Sequence, residues 1–352
     1  MTTRKELGLM RLVALGLAGP PAAGAADAVR GLLAVQAQDL PGALTSVALR
    51  TAGHSREGVR RALDDGSVVR SWPMRGTLHL LAAEDLPWML ELLGPRALAG
   101  QARRRAELGL TESDAERARE LVVGALSGGR RLSRAALLEV IGSAVDTGGQ
   151  RGYHLLWFLS QTGTLCLGPT DDGGAQDFVL LDEWVRAPRR PDREEALGEL
   201  ALRYFLGHGP ATIADLVRWA GSTVRDVRAG LALVGDRLER LQVEGTEHLL
   251  DPATPELLAA HRDEARALRL LPGFDEFVLG YGDRTAVLDP AFAERICPGR
   301  NGMFLPTVVA DGRIVGTWRW SGSGSRRRAT AALFGDDDGL AASVPALAER
   351  LP

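Results

Sequence analysis

The sequence predicts an α+β protein, mainly helical, built as three tandem winged-helix modules followed by a segment that contains a β-hairpin. Three observations predict it. Groups of amphipathic helices end in a short pair of alternating strands, and this pattern occurs three times. The first two pairs carry near copies of one stretch, GTLHLL at 76–81 and GTLCLG at 163–168. After residue 255 the pattern stops, and FLPTVVADGRIVGTWRW (304–320) reads as a hairpin around the two-residue turn Asp311-Gly312. The expected divisions are 1–100, 101–190, 191–254 and 255–352.

In the first module DAVRGLLAV reads as a helix and PGALTSVALRTAG as a second, opened by Pro41 and closed by Gly53. SREGVRRALDDG is a third, capped by Ser55, and SVVRSW and RGTLHLL follow as strands around Pro73-Met74. The second module starts near RLSRAALLEVIG with Ser133 as cap, continues with GGQRGYHLLWFLSQTG, and ends in TLCLG and QDFVLL. The third holds REEALGELALRYFLGHG, TIADLVRWAG capped by Thr212, and STVRDVRAGLALV, with LERLQVEG and TEHLLD as its strands. Beyond them TPELLAAHRDEARALRLLP reads as one helix and FDEFVLGYGDR as a short buried turn. SGSGSRRR, after the last hairpin, reads as a flexible link carrying three positive charges.

Composition narrows the function classes. Hydrophobic residues at 45% and charged residues at 25% are ordinary for a water-soluble chain, and no apolar run reaches a membrane span. Arg11 breaks the apolar N-terminal stretch, which reads as a helix and loop rather than a signal peptide. Two cysteines, Cys166 and Cys297, are too few for a disulfide framework, so a reducing cytoplasm is the expected compartment. The six histidines form no metal-spaced pair, and neither metal nor organic cofactor is expected. Net charge is -3, yet 41 of the 42 basic residues are arginine, gathered at 103–105, 130–131, 189–190 and 326–328. Such clusters bind phosphate on a chain that is acidic overall.

A winged helix commonly binds duplex DNA, with its third helix in the major groove. The first such helix offers Arg56, Arg60 and Arg61 but no Asn or Gln, which suits phosphate contact better than base readout. The hairpin 305–320 has a different capability. Seven strand residues reach roughly 23 Å, enough to follow a minor groove about 6 Å wide. Arg313, Trp318 and Arg319 lie along its second arm, and Arg suits a narrow minor groove. Trp318 and Trp320 also read as strand residues packed on the body of the protein.

LLAVQAQDLPGALTSVALR (32–50) sets Gln36 and Gln38 one residue apart in an apolar run. A buried amide must find hydrogen-bond partners, either in the protein or in what it acts on. Two residues one apart share a side if the stretch is extended but diverge by about 200° on a helix. Asp39 and Pro41 make a helix exit here reasonable, because a new helix starts there. The amides read equally as caps of the adjoining helices.

VQAQD, SWPMRGTLHLL, LLPGFDEFVLGYGDR and LPTVVADGRIVGTW, in that order, resemble the AlkZ-type DNA glycosylases. The resemblance covers most of the chain. It implies tandem winged helices arranged as a C around DNA, and removal of bulky alkylated bases and interstrand crosslinks. The second Gln of the family's Gln-apolar-Gln motif is Asp in other members; Gln38 places this chain in the Gln-Gln branch, associated with self-resistance to genotoxic natural products. The resemblance implies Gln36 and Gln38 as catalytic, acting without an acid on N7-alkylated guanine, whose base is already cationic. Neutral amide oxygens then hold a water under C1′ and stabilise an oxocarbenium-like sugar, worth a few kcal/mol. C1′ opens toward the minor groove while an N7 adduct lies in the major groove, and a base tethered to the opposite strand cannot swing out. Approach is therefore expected from the minor-groove side, with the hairpin around Asp311 as probe and Arg75, His79 and Arg284 on the DNA. His79 also reads as a solvent-facing strand residue, and Asp275 or Glu276 as a carboxylate for the sugar cation or as part of a buried turn. The expected partner is double-stranded DNA bearing alkylated guanine, bound by a monomer with no obligate protein partner. The alternative is a non-catalytic winged-helix DNA-binding protein or transcriptional regulator. A third reading has the chain sequester a genotoxin on Trp72, Trp88 and Trp157, residues that also read as core.

Overall fold

Helix α1 (Arg4–Ala14) opens the computed structural model, which describes residues 3–171, 174–323 and 327–352. The arginine in its apolar face is buried with it: Arg11 Nε donates to the Pro210 carbonyl at 3.0 Å, and its guanidinium lies 3.6 Å from the Tyr281 ring centre. Three times thereafter the chain runs three helices into a two-stranded hairpin. The first set is α2 (Ala25–Leu32), α3 (Leu40–Ala48), α4 (Arg56–Asp64), β2 (Val68–Met74) and β3 (Thr77–Ala82), with a two-residue strand β1 (Val35–Gln36) between α2 and α3. Helices α5 (Leu86–Gly100) and α6 (Ala102–Glu107) lead to the second set. It comprises α7 (Glu112–Leu126), α8 (Arg134–Gly142), α9 (Arg151–Gln161), β4 (Leu165–Thr170) and β5 (Gln176–Leu180). After α10 (Leu181–Trp184) come α11 (Arg193–His208), α12 (Ile213–Ala220), α13 (Val224–Val234), β6 (Glu239–Val243) and β7 (Thr246–Leu250). Ser55, Ser133 and Thr212 cap α4, α8 and α12 as their spacing predicts, each hydroxyl accepting a backbone N–H. α7 lies ahead of the pattern that begins at residue 131 and supplies the first helix of its set.

The sets are not independent beads. Arg70 of β2 pairs with Leu167 of β4, so the first two hairpins and β1 form one five-stranded sheet in the order β1-β3-β2-β4-β5. One large core joins α1 and the first set to α11–α13 and the C-terminal region, while the second set surrounds its own core about Trp157 and Leu159. Trp72, Trp88 and Trp157 are all buried in these cores, which removes them as stacking surfaces for a free drug.

The C-terminal region departs from expectation. The stretch 254–272 is two short helices, α14 (Thr254–Ala260) and α15 (Arg262–Arg266), and then a strand, β8 (Arg269–Leu271). Helix α16 (Glu276–Leu279) and helix α17 (Ala293–Ile296) follow. The sequence hairpin is β9 (Thr307–Ala310) and β10 (Arg313–Ser321), but these are the inner pair of a sheet ordered β11-β10-β9-β8, closed by β11 (Arg328–Leu333) and backed by α18 (Asp338–Ala348). The β-branched alternation that marked the hairpin reflects strands with neighbours on both edges. The link SGSGSRRR therefore joins two paired strands, with Ser321 opposite Arg328; residues 324–326 of it lie outside the described residues. Among the described residues no helix is long and apolar enough to cross a membrane.

Candidate active site and DNA-facing surface

The chain leaves α2 through Leu33, a fully buried residue with φ of +66°, a conformation non-glycine residues rarely adopt. That break lets the next residues extend. Val35 and Gln36 pair with Leu80 and His79 of β3, and the Ala37 N–H donates to the Leu78 carbonyl at 2.7 Å. Gln36 thus ends the edge strand β1 and is buried, while Gln38 follows it in a bend and is exposed. The next helix begins at once, because Asp39 caps α3 by accepting the Gly42 N–H at 3.2 Å. The Gln38 side chain makes no hydrogen bond to the described residues. The capping reading of the two amides gives way to Asp39.

Arginines fix this strand. Arg70, the lone charge in VVRSW, donates from Nε (2.9 Å) and Nη2 (2.6 Å) to the Ala37 carbonyl and from Nη1 to Gln176 Oε1 (3.1 Å). Burial draws its pKa down to about 10, partly opposed by Asp39. Arg75 sits in the β2–β3 turn with Gly76, both at positive φ, which moves the turn from the expected Pro73-Met74. Its Nη2 donates to Gln36 Oε1 and lies 3.3 Å from His79 Nε2.

His79 does not face solvent. Strand β3 lies between β1 and β2, so its ring is fully buried beside Gln36, with Nδ1 2.8 Å from the Thr77 carbonyl. Burial first, and the Arg75 charge second, push its pKa down to about 3, and the ring stays neutral. The sign of the pH dependence follows. Above the ordinary value of 6.5 the ring is neutral folded or unfolded, and stability is full. Below 6.5 the unfolded chain takes up the proton first, so stability is lost as pH falls toward about 3. His79→Gln is expected to flatten the decline between pH 6.5 and 4.5, read from urea midpoints; an unchanged slope would refute the assignment.

The turn FDEF is buried as its apolar flanks suggest. Asp275 takes Arg50 in a two-bond grip (2.9 Å each) and accepts from Ser46 Oγ at 2.7 Å. Glu276, only 1% exposed, accepts the Gln36 N–H at 3.1 Å, so it reaches the strand's backbone rather than a substrate.

Arg284 donates to the Val278 carbonyl and lies 5.1 Å over the Phe304 ring. Burial and the nearby Arg218 lower its pKa to about 10; burial foremost, and Arg218 after it, also lower that of Arg75, so Arg218 is near both of these arginines. Arg218 and Arg284 line a cavity of about 450 Å³ with Leu288, Ile296 and Phe304.

The hairpin probe requires correction. Gly312 is buried against α1, where a Cβ on Gly8 would collide with its carbonyl, and Asp311 is paired with Lys5 and with Arg266 (2.9 Å). Arg313 adjoins this docked turn. Trp318 is 7% exposed, its indole donating to the Leu271 carbonyl at 2.9 Å, and it cannot wedge between bases. Arg319 is exposed toward the other end of β10. There Arg327 lies 4.1 Å over the Trp320 ring, near enough to Arg56 that the two charges interact, with Asp39 adjacent. Arg56, Arg60 and Arg327 were within reach of sequence reasoning as arginine-rich segments; that Arg327 comes near Arg56 and Asp39 was not.

A mainly helical chain of this topology, with a Gln-apolar-Gln motif at the end of an edge strand beside arginines, belongs to the AlkZ-like DNA glycosylase family, whose model matches residues 29–351. It is a DNA glycosylase. A relative from Streptomyces sahachiroi, named "Interstrand DNA cross-link repair glycosylase", is 31% identical over 305 residues, 84% of this chain and 81% of that protein. The solved structure of Streptomyces sahachiroi DNA glycosylase AlkZ is similar over 99% of this chain and 95% of that one, with a TM-score of 0.82 and 28% identity.

Proposed function

We propose that this glycosylase hydrolyses the N-glycosidic bond of N7-alkylated guanine in duplex DNA, including bulky adducts and interstrand crosslinks, with Gln36 and Gln38 as its catalytic residues. The observation that carries the reading is how the chain leaves edge strand β1 at this motif, with Gln36 held by Arg75 and Glu276 and Gln38 exposed in the bend that follows. The N7-alkylated base is cationic, so the C1′–N9 bond breaks with its electron pair neutralising the purine and no acid is needed. Gln38 holds the water that adds to C1′, and its proton passes to solvent. Gln36, its Oε1 already engaged by Arg75, orients that water and faces the sugar cation. The name of the Streptomyces sahachiroi relative supports crosslinks as substrates.

The three helix-and-hairpin sets act as winged-helix modules, divided near residues 100, 190 and 254 and curved around the duplex. Arg75, Arg284 and Arg218 take the backbone on one side of the Gln pair; Arg56, Arg60, Arg319 and Arg327 take it on the other, with the β10–β11 end rather than the Asp311 turn toward the minor groove. The enzyme works as a monomer in the cytoplasm without cofactor or metal. The test incubates the protein with duplexes carrying N7-methylguanine or an N7-linked crosslink. Free alkylguanine and an abasic site are expected, and no base released from any alkylated duplex would overturn the reading.

A further inference from the structure

We propose that Glu276, held between His208 and Trp219, is a positioning residue for base release, fixing the backbone that carries Gln36; this rests on the function proposed above. β1 is an edge strand. Its inner side is satisfied by β3, but the Gln36 N–H points outward, where another strand would lie. Glu276 Oε1 stands there and accepts it at 3.1 Å. The second oxygen accepts from Trp219 Nε1 at 2.9 Å and faces His208 Nε2 at 3.4 Å.

The support behind the carboxylate is rigid. The His208 ring stacks on Tyr204 at 4.7 Å and 11°, and both lie fully buried. Tyr204 Oη donates to the Gly280 carbonyl (2.7 Å) and Tyr281 Oη to the His208 carbonyl (2.8 Å), tying α11 to the end of α16. Gln36 is thereby fixed at both ends, its peptide N–H by a carboxylate and its amide oxygen by Arg75.

An acceptor with two oxygens is required, because N–H groups converge on it from Gln36, Trp219 and His208. Burial alone would raise the pKa of Glu276; the His208 contact, the indole and the Gln36 N–H bring it down to about 2, so the charge persists at working pH. Glutamine at this position would turn an NH₂ group toward one of those donors and shift the strand. A misplacement of about 1 Å costs on the order of 100-fold in rate.

The experiment measures single-turnover release of N7-methylguanine, duplex affinity and folding by circular dichroism for Glu276→Gln, His208→Leu and His208→Gln. Glu276→Gln and His208→Leu are expected to slow release by about 10- to 100-fold with duplex affinity and fold unchanged. His208→Gln, which restores an N–H donor toward Oε2, is expected to stay close to wild type. Wild-type rates in the first two variants, losses matched by lost affinity, or His208→Gln as slow as His208→Leu would overturn the proposal. If Glu276→Gln does not fold, the histidine pair decides. A wild-type protein that releases no base would instead sink the function on which it rests.

Discussion

Gln38→Ala is expected to slow single-turnover release of N7-alkylguanine by about 100-fold, the usual scale for deleting one preorganised polar group at a reacting centre. The variant should melt like wild type. Gln38 is exposed and its side chain bonds to no described residue, while the strand under it is held through main-chain carbonyls by Arg70. Gln36→Ala should slow release as much but also lower stability, since it withdraws an acceptor from the half-buried Arg75. The two variants therefore separate activity from folding when rate and melting temperature are measured together. Release by Gln38→Ala within threefold of wild type would remove this residue from the mechanism.

Asp275→Ala is expected to cost about 3–5 kcal/mol of stability, the scale for removing one partner of a buried ion pair. Its carboxylate is fully buried and answers Arg50, Ser46 and the Phe277 N–H, which starts α16. Arg50 would retain the Leu15 and Ser46 carbonyls but no counter-charge, 2% exposed. Replacing both partners by apolar residues, Arg50→Met with Asp275→Leu, should recover part of that loss. Urea unfolding measures each; a loss under about 1 kcal/mol for Asp275→Ala would show that the site relaxes and admits water.

These two predictions draw on features of unequal legibility. The helix starts at Ser55, Ser133 and Thr212 were readable because a cap is a contact between residues three apart. Asp311-Gly312 was readable as a turn for the same reason, whereas Pro73 masked the equivalent turn at Arg75-Gly76. The place where that Asp311 turn docks was not readable, since α1 lies some three hundred positions away in the chain. Trp318 and Arg319 are adjacent in sequence and have opposite fates, decided by which face of β10 the core covers.

The candidate site divides along the same line. The sequence by itself determined the mainly helical α+β composition, the recurrent helices and hairpins, and the Gln-apolar-Gln motif before Asp39 and Pro41, because propensity, capping and periodicity act between near neighbours. Only the tertiary structure decided that the motif begins on an edge strand at Gln36, since the break at Leu33 carries no local signal and is held by burial. It also decided that Gln36 is buried while Gln38 is exposed, that His79 is enclosed, and that Glu276, 240 positions away, accepts the Gln36 N–H. Those outcomes depend on which surfaces pack together, and packing is set by the whole chain at once.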